Sequence, residues 1–389
     1  MKKLWIWLGL VVIGIGAALY FGRSKVQTGT VTRPWPLGLG VMADAPKRYP
    51  ATKDNAQATK LTELATRAAI DLKSVRRRSG GLSEDLHESF SDYVRVQLER
   101  VGDGIDAPPS DVKRYFDANA ASLDEIRALL LSGQPIVFEA DINRNPEHDP
   151  PGPHLFAYQQ LYRTFVARAL VTARDGKPEA WDELRTAWEL ARPLWNRPDE
   201  TAVLTASTAA RMVSAAARKM PLPPPAWFRE ISTFPYERAL ASAQQAEAWR
   251  MKTAAMNERL RGMAQEVVAA RACDAKSPQF DAVREKLGAR ASPGLIAQWE
   301  RLMRFRAERE ATERVLQIRA GQTPSKESQC SDGTWQVTPK SFKFSRSIGV
   351  RRPQIDTPLE YSATPAPAAP PDPAQSPPSP PAAPATSRR

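Results

Sequence analysis

Apolar residues recur at helical spacing from Asn55 onward. Leu61, Leu64, Ala68, Leu72 and Val75 share one face of a first helix, which Arg76-Arg77-Arg78 and then Gly80-Gly81 bring to an end. Leu86, Phe90, Val94, Leu98 and Val101 mark a second helix starting near Ser83. Pro108-Pro109 precede a third from about Ser110, and Ser122 with Glu125 has the form of a capping box opening a short fourth. The stretch 135–141 reads as a short strand or a helical turn, and 143–153 as a proline-stiffened loop. Leu155, Tyr158, Tyr162, Phe165, Ala169 and Leu170 line an aromatic helix face. After the Asp175-Gly176 turn, Pro178 suits the first turn of the next helix.

That next helix carries Trp181, Trp188 and Trp195 at intervals of seven. Seven residues cover nearly two turns, so the three rings form one seam that drifts only about 20° per step. The seam is expected to face the aromatic side of 155–170, with Leu184 and Ala191 beside it. Pro193 marks the end or a kink of the helix, which makes Trp195 the ring most exposed. An Ala-rich helix follows over 198–219, then a polyproline-like break at 221–227. Residues 236–271 contain neither Gly nor Pro until Gly262 and predict one long helix. Two more fall at 278–288 and 295–319, the last rich in Arg and Glu. Past Cys330 the period changes to two: Trp335, Val337, Phe342 and Phe344 predict a small hairpin.

The ends differ from the middle. Residues 4–22 form an uncharged run of nineteen, about 28 Å as a helix, flanked by Trp5, Trp7, Tyr20 and Phe21. We read it as an uncleaved membrane anchor, because neither a cleavage site nor a lipidation cysteine follows it directly. Gly14 and Ala18 offer a small-xxx-small pair for helix packing. Residues 1–3 then form a short cytoplasmic tail and 23–54 a basic, extended linker. From 351 to 389 the chain is rich in Pro, Ala and Ser and cannot bury enough apolar area to order itself. The expected architecture is therefore all-α: a transmembrane helix, an irregular α-solenoid-like domain of helical hairpins over 55–350, a small C-terminal β-hairpin and a disordered tail. A sub-boundary is expected near 221–235.

Composition adds a compartment and a charge. Cys273 and Cys330 are the two cysteines of the chain and are candidates for a disulfide in an oxidising compartment. With the anchor, they place the bulk of the chain on the periplasmic or exterior side of the inner membrane. The formal net charge of +12 would act there on an anionic lipid or a wall polymer. Basic residues do not interleave with aromatics, so nucleic acid is not an expected partner.

In the stretch VARALVTARDGKPEAWDELRTAWELARP, Gly176, Ala180, Leu184, Ala187 and Pro193 follow the second-helix signature of the tetratricopeptide family, which this hairpin resembles. The Trp and Leu-Gly of that family's first helix are absent, and the neighbouring hairpins do not repeat the pattern. The resemblance implies helical-hairpin packing and, at most, a solenoid that binds peptides or proteins.

Catalytic signatures are sparse. No Gly-x-Ser-x-Gly elbow, Gly-x-x-x-x-Gly-Lys loop or Gly-x-Gly-x-x-Gly fingerprint occurs. His148, Asp149 and His154 are the best candidate metal ligands, but a spacing of six through prolines is not that of a helix-face pair. Glu139, Asp141, Glu147 and Asp149 supply clustered carboxylates for an envelope hydrolase, the alternative to a non-catalytic scaffold. Trp195, Tyr158 and Tyr162 are the candidate residues for binding a protein partner in the envelope. No cofactor is implied.

Overall fold

The computed structural model describes residues 32–73, 81–144, 152–288, 293–348 and 355–363. The apolar run 4–22, the loop carboxylates Glu147 and Asp149, His148 and the proline-rich stretch 364–389 lie outside the described residues. Among the described residues no helix is long and apolar enough to cross a membrane.

The chain is overwhelmingly helical. In order come α1 (Ala45–Arg48), α2 (Ala56–Arg67), α3 (Glu84–Glu99), α4 (Ser110–Leu131), α5 (Leu155–Arg174), α6 (Ala180–Trp195) and α7 (Glu200–Ala217). Then follow α8 (Arg229–Thr233), α9 (Tyr236–Met251), α10 (Ala254–Ala270), α11 (Pro278–Leu287) and α12 (Pro293–Arg319). Local sequence sets most of the starts. The side chains of Asn55, Ser83, Asp199, Thr253 and Ser277 each accept the backbone N–H three residues on, the N-cap arrangement that satisfies an orphan donor.

Helices α5, α6 and α7 pack together at the centre. α2, α3 and α4 flank them on the N-terminal side, and α9 and α12 pack against α7 from the other. In a solenoid each repeat touches only its chain neighbours. Here α7 meets α3, α5, α6, α9 and α12, so the hairpins form a layered domain around one large core. That core continues across 221–235, where Trp227 and Phe228 pack edge-on against Trp181. The proline break is thus a corner inside one unit.

Several elements depart from the pattern. The third and fourth helices are one, α4, with 22 residues. The Asn-Ala-Ala-Ser passage holds neither Gly nor Pro to stop it, and Glu125 pairs with Arg67 at 2.7 Å rather than closing a cap. The predicted long helix over 236–271 is two: Lys252 turns left-handed at φ 48° and Thr253 caps α10. The first helix ends at Arg67, with Ala69 at φ 60°. The segment 135–141 is neither strand nor helix; it lies along residues 52–55, with a bridge between Thr52 and Ala140 and the Asn55 N–H donating to the Val137 carbonyl at 3.0 Å.

The stretch expected to be an extended linker is folded over residues 32–54. Trp35, Leu39 and Met42 are buried in the main core. Trp35 Nε1 donates to Asn257 Oδ1 at 3.0 Å, and the Gln245 amide reaches the carbonyls of Leu39 and Val41 at 3.2 and 2.8 Å. The hairpin, β1 (Trp335–Thr338) with β2 (Ser341–Phe344), gains a third strand, β3 (Glu360–Ser362), from the stretch expected to be disordered. Phe342 pairs with Val337 on one side and Tyr361 on the other. This small sheet makes its own core with Ala307, Ala311 and Val315 of α12.

Two covalent or ionic ties join these parts. Cys273 and Cys330 are bonded as a disulfide, which links the end of α10 to the sheet. Deeper in, Arg211 of α7 binds Glu308 of α12 in a two-pronged pair at 2.7 and 2.6 Å. Arg304 adds a third bond to Glu308 at 3.0 Å and reaches Asp356 and the Thr357 carbonyl. Burial alone would raise the Glu308 pKa; Arg211 and Arg304 outweigh it and hold it low.

Two outcomes follow from these ties. Replacing both cysteines by alanine frees a loop with a sequence separation of 57 and should lower unfolding free energy by up to about 4 kcal/mol, read by urea denaturation. Glu308→Gln leaves the buried Arg211 guanidinium without its counter-charge and should cost about 3–5 kcal/mol in the same assay.

Candidate functional site

The tryptophan seam locates the principal groove. All three rings are buried, and the aromatic rings they meet lie in 227–236. Trp181 packs on Trp227 and Phe228, and its Nε1 donates to the Pro221 carbonyl at 2.7 Å. Trp188 meets Phe234 edge-on, and Trp195 lies against Phe234 and Tyr236 at 4.7 and 5.3 Å. The seam therefore clamps the 221–236 corner to the central helices. Pro193 sits inside α6, and the helix continues through Trp195, which is 5% exposed rather than the open ring expected.

Trp195 nevertheless lines a cavity of about 570 Å³. One wall is the folded N-terminal strap, held by paired N–H···O bonds between Thr52 and Ala140 at 2.8 and 3.3 Å. Tyr49 stands in this wall, its hydroxyl donating to Ser242 Oγ of α9 at 2.7 Å, and burial pushes its pKa up. Phe234 and Pro235, at the start of α9, also line the cavity. Val137 and Ile142 close one end. Pro50, Pro198 and Pro235 stiffen the rim, and Arg48 and Arg238 bring positive charge to it. Arg48 is committed to the Leu39 carbonyl at 2.8 Å and to Gln245, whereas Arg238 is exposed and no carboxylate among the described residues pairs with it. The indole N–H of Trp195 is buried and has no hydrogen-bond partner among the described residues. A buried donor in that state costs free energy until an acceptor reaches it.

The other candidates are placed as follows. Tyr158 and Tyr162 are fully buried on α5, their hydroxyls without partners among the described residues, and they offer no surface to a protein. Their physical role is core: Tyr158 packs edge-on against Phe138. His154 sits just before α5, its backbone N–H on the Leu72 carbonyl at 2.7 Å and its ring tilted against Phe156. Of the proposed metal trio it alone is among the described residues. Glu139 is exposed and pairs with Arg144 at 3.5 Å, while Asp141 accepts the Asn143 N–H at 2.8 Å in a local turn. Neither is set in a cleft. The Asp332 carboxylate lies beside the two cysteine sulfurs, but those are bonded to each other, and it accepts the N–H groups of Cys273 and Asp274.

Sequence reasoning did not find Tyr49 or Phe234. Both lie in proline-flanked, aperiodic stretches that were read as connectors. The large apolar side chains Trp35 and Leu39 were the available sign that the strap packs down.

No family model, curated protein or solved structure matches the chain. In the hairpin that resembles a tetratricopeptide unit, Gly176 does take the left-handed turn at φ 70°, and Ala180, Leu184 and Ala187 are buried.

Buried ionisable groups elsewhere serve as ties. Glu183 of α6, its pKa raised by burial against the pull of Arg168 and Arg127, joins α6 to α4 and α5. Lys219 donates to the Gly102 carbonyl at 2.6 Å and holds the loop after α3; Asp103, Arg100, Arg218 and Arg319 surround it. Burial lowers the Lys219 pKa from 10.5 to about 8. Between these values the unfolded chain keeps a proton that the folded chain has shed, so stability rises with pH across that window. The shift corresponds to about 3 kcal/mol at most. Lys219→Met should remove this slope, so the wild-type minus variant difference in urea midpoint should climb from pH 8 to 10 in wild type's favour.

Proposed function

We propose that this protein is a non-catalytic binding factor whose groove holds an extended, proline-containing segment of a partner protein. The observation that carries this reading is that Trp195, whose buried indole N–H has no hydrogen-bond partner among the described residues, lines an aromatic groove. A polyproline II segment makes no internal hydrogen bonds, so its carbonyls need outside donors. Its rings pack on flat aromatic faces, and Tyr49, Trp195 and Phe234 all line this groove. Such a segment is already extended when free, so it loses little entropy on docking. Arg238 at the rim favours an acidic residue beside the prolines.

The setting supports an envelope scaffold. The disulfide favours an oxidising compartment. The uncharged run 4–22 favours a single-pass anchor in the inner membrane, with the folded domain in the periplasm.

A labelled decaproline peptide should bind the full chain in neutral detergent, read by fluorescence anisotropy, and a Gly-Ser peptide of equal length should not. Trp195→Phe keeps an aromatic face, though a smaller one, and deletes the N–H; it should weaken binding by about tenfold, the equivalent of one hydrogen bond. Equal signals from the two peptides would sink the reading.

A further inference from the structure

A second cavity adjoins the groove across Phe234. It encloses about 440 Å³ and is lined by three arginines, Arg271, Arg306 and Arg309, with one carboxylate, Glu237. Arg306 donates to Glu237 Oε1 at 3.1 Å, which neutralises one of the three cations. Arg309 is held flat over the rings of Tyr236 and Phe305, its Cζ 4.8 and 5.5 Å from their centroids. One of its terminal nitrogens bonds to the Ser232 carbonyl at 2.9 Å, and its Nε is buried without a partner among the described residues. Arg271 is exposed, and its side chain has no ion pair among the described residues. Two positive charges are left facing one polar cavity.

The backbone at Arg271 gives an independent reason. It follows α10 in a left-handed conformation, φ 51° and ψ 19°, where glycine is the usual occupant because any Cβ crowds the chain. Leu37, in the same cavity wall, is also left-handed at φ 58°. A strained backbone that carries a long cation, where glycine would relax it, is an outlier from which a side-chain role can be argued.

We infer that this cavity binds a phosphoryl group carried as a dianion. Two uncompensated guanidiniums match its charge, and their planar donor forks match its oxygens. The volume is larger than a bare phosphate needs, which leaves room for a substituent beside Leu37 and Val268. Free phosphate and a lipid phosphomonoester headgroup share this chemistry. The inference stands independently of what occupies the neighbouring groove.

The test is thermal unfolding of the full chain in neutral detergent, titrated at constant ionic strength. Inorganic phosphate should raise the midpoint in the low-millimolar range where chloride does not. Arg271→Gly should keep or raise the midpoint without ligand, since it relieves the left-handed strain, yet weaken phosphate binding by about tenfold. Dihexanoyl phosphatidic acid, below its micelle concentration, identifies the source: tighter binding than phosphate points to a lipid headgroup, equal binding to free phosphate. The proposal is overturned if phosphate acts no better than chloride. It is equally overturned if citrate binds more tightly than phosphate, or if Arg271→Gly retains the wild-type affinity.

Discussion

The carboxylate of Glu308 is the point on which the two halves of the molecule meet. It accepts three bonds from Arg211 and Arg304, while Arg218 binds the Glu308 carbonyl and Thr312 one turn on. All four charged side chains are buried. Taking such ions out of water costs several kcal/mol each, and the cost is offset only when every donor and acceptor is matched. A slide of α12 against α7 by one turn would leave those charges unpaired inside the protein. The network therefore sets register more than it adds stability. The same guanidiniums take the carbonyls of Ile355, Thr357 and Pro358, which guides the chain into β3 and completes the sheet.

With α7 and α12 fixed, the rest of the architecture has somewhere to dock. The alanines of α7 allow close approach on several sides at once. The tryptophans of α6 then hold the 221–236 corner, and that corner presents Phe234 to two cavities. The N-terminal strap closes the first of these by laying Tyr49 against α9. Groove and arginine cavity are thus by-products of one packing problem: how a proline-rich corner and an N-terminal strap cover the ends of the central helices.

Much of this was legible from residue order. The helix period placed α3, α5, α6 and α7 closely, because an apolar stripe and an N-cap are local signals. The cysteine pair was legible because the chain holds just two. The seam of tryptophans was rightly read as core, but its aromatic neighbours were not foreseen, since a helix with buried side chains most of the way round does not announce which face meets which partner. Lys252 breaks a helix without Gly or Pro, and the Ser122 capping box does not open one. In both cases packing overrode a local preference worth a fraction of a kcal/mol per residue.

Taken alone, the sequence determined a helical domain with a small C-terminal β-hairpin and one candidate cysteine pair, because periodicity, capping and cysteine count can be read along the chain; the bond itself and the third strand came from the tertiary structure. Tertiary structure alone decided that the strap folds back and that α12, charged along its length, is a buried helix. It also decided that Trp195 lines a groove and that Arg271, Arg306 and Arg309 share one cavity. The reason is the same throughout: the deciding partner is distant in sequence. Charge, in particular, signals exposure only when no partner waits inside. The partners here, Arg211 for Glu308 and Glu237 for Arg306, lie 97 and 69 residues away.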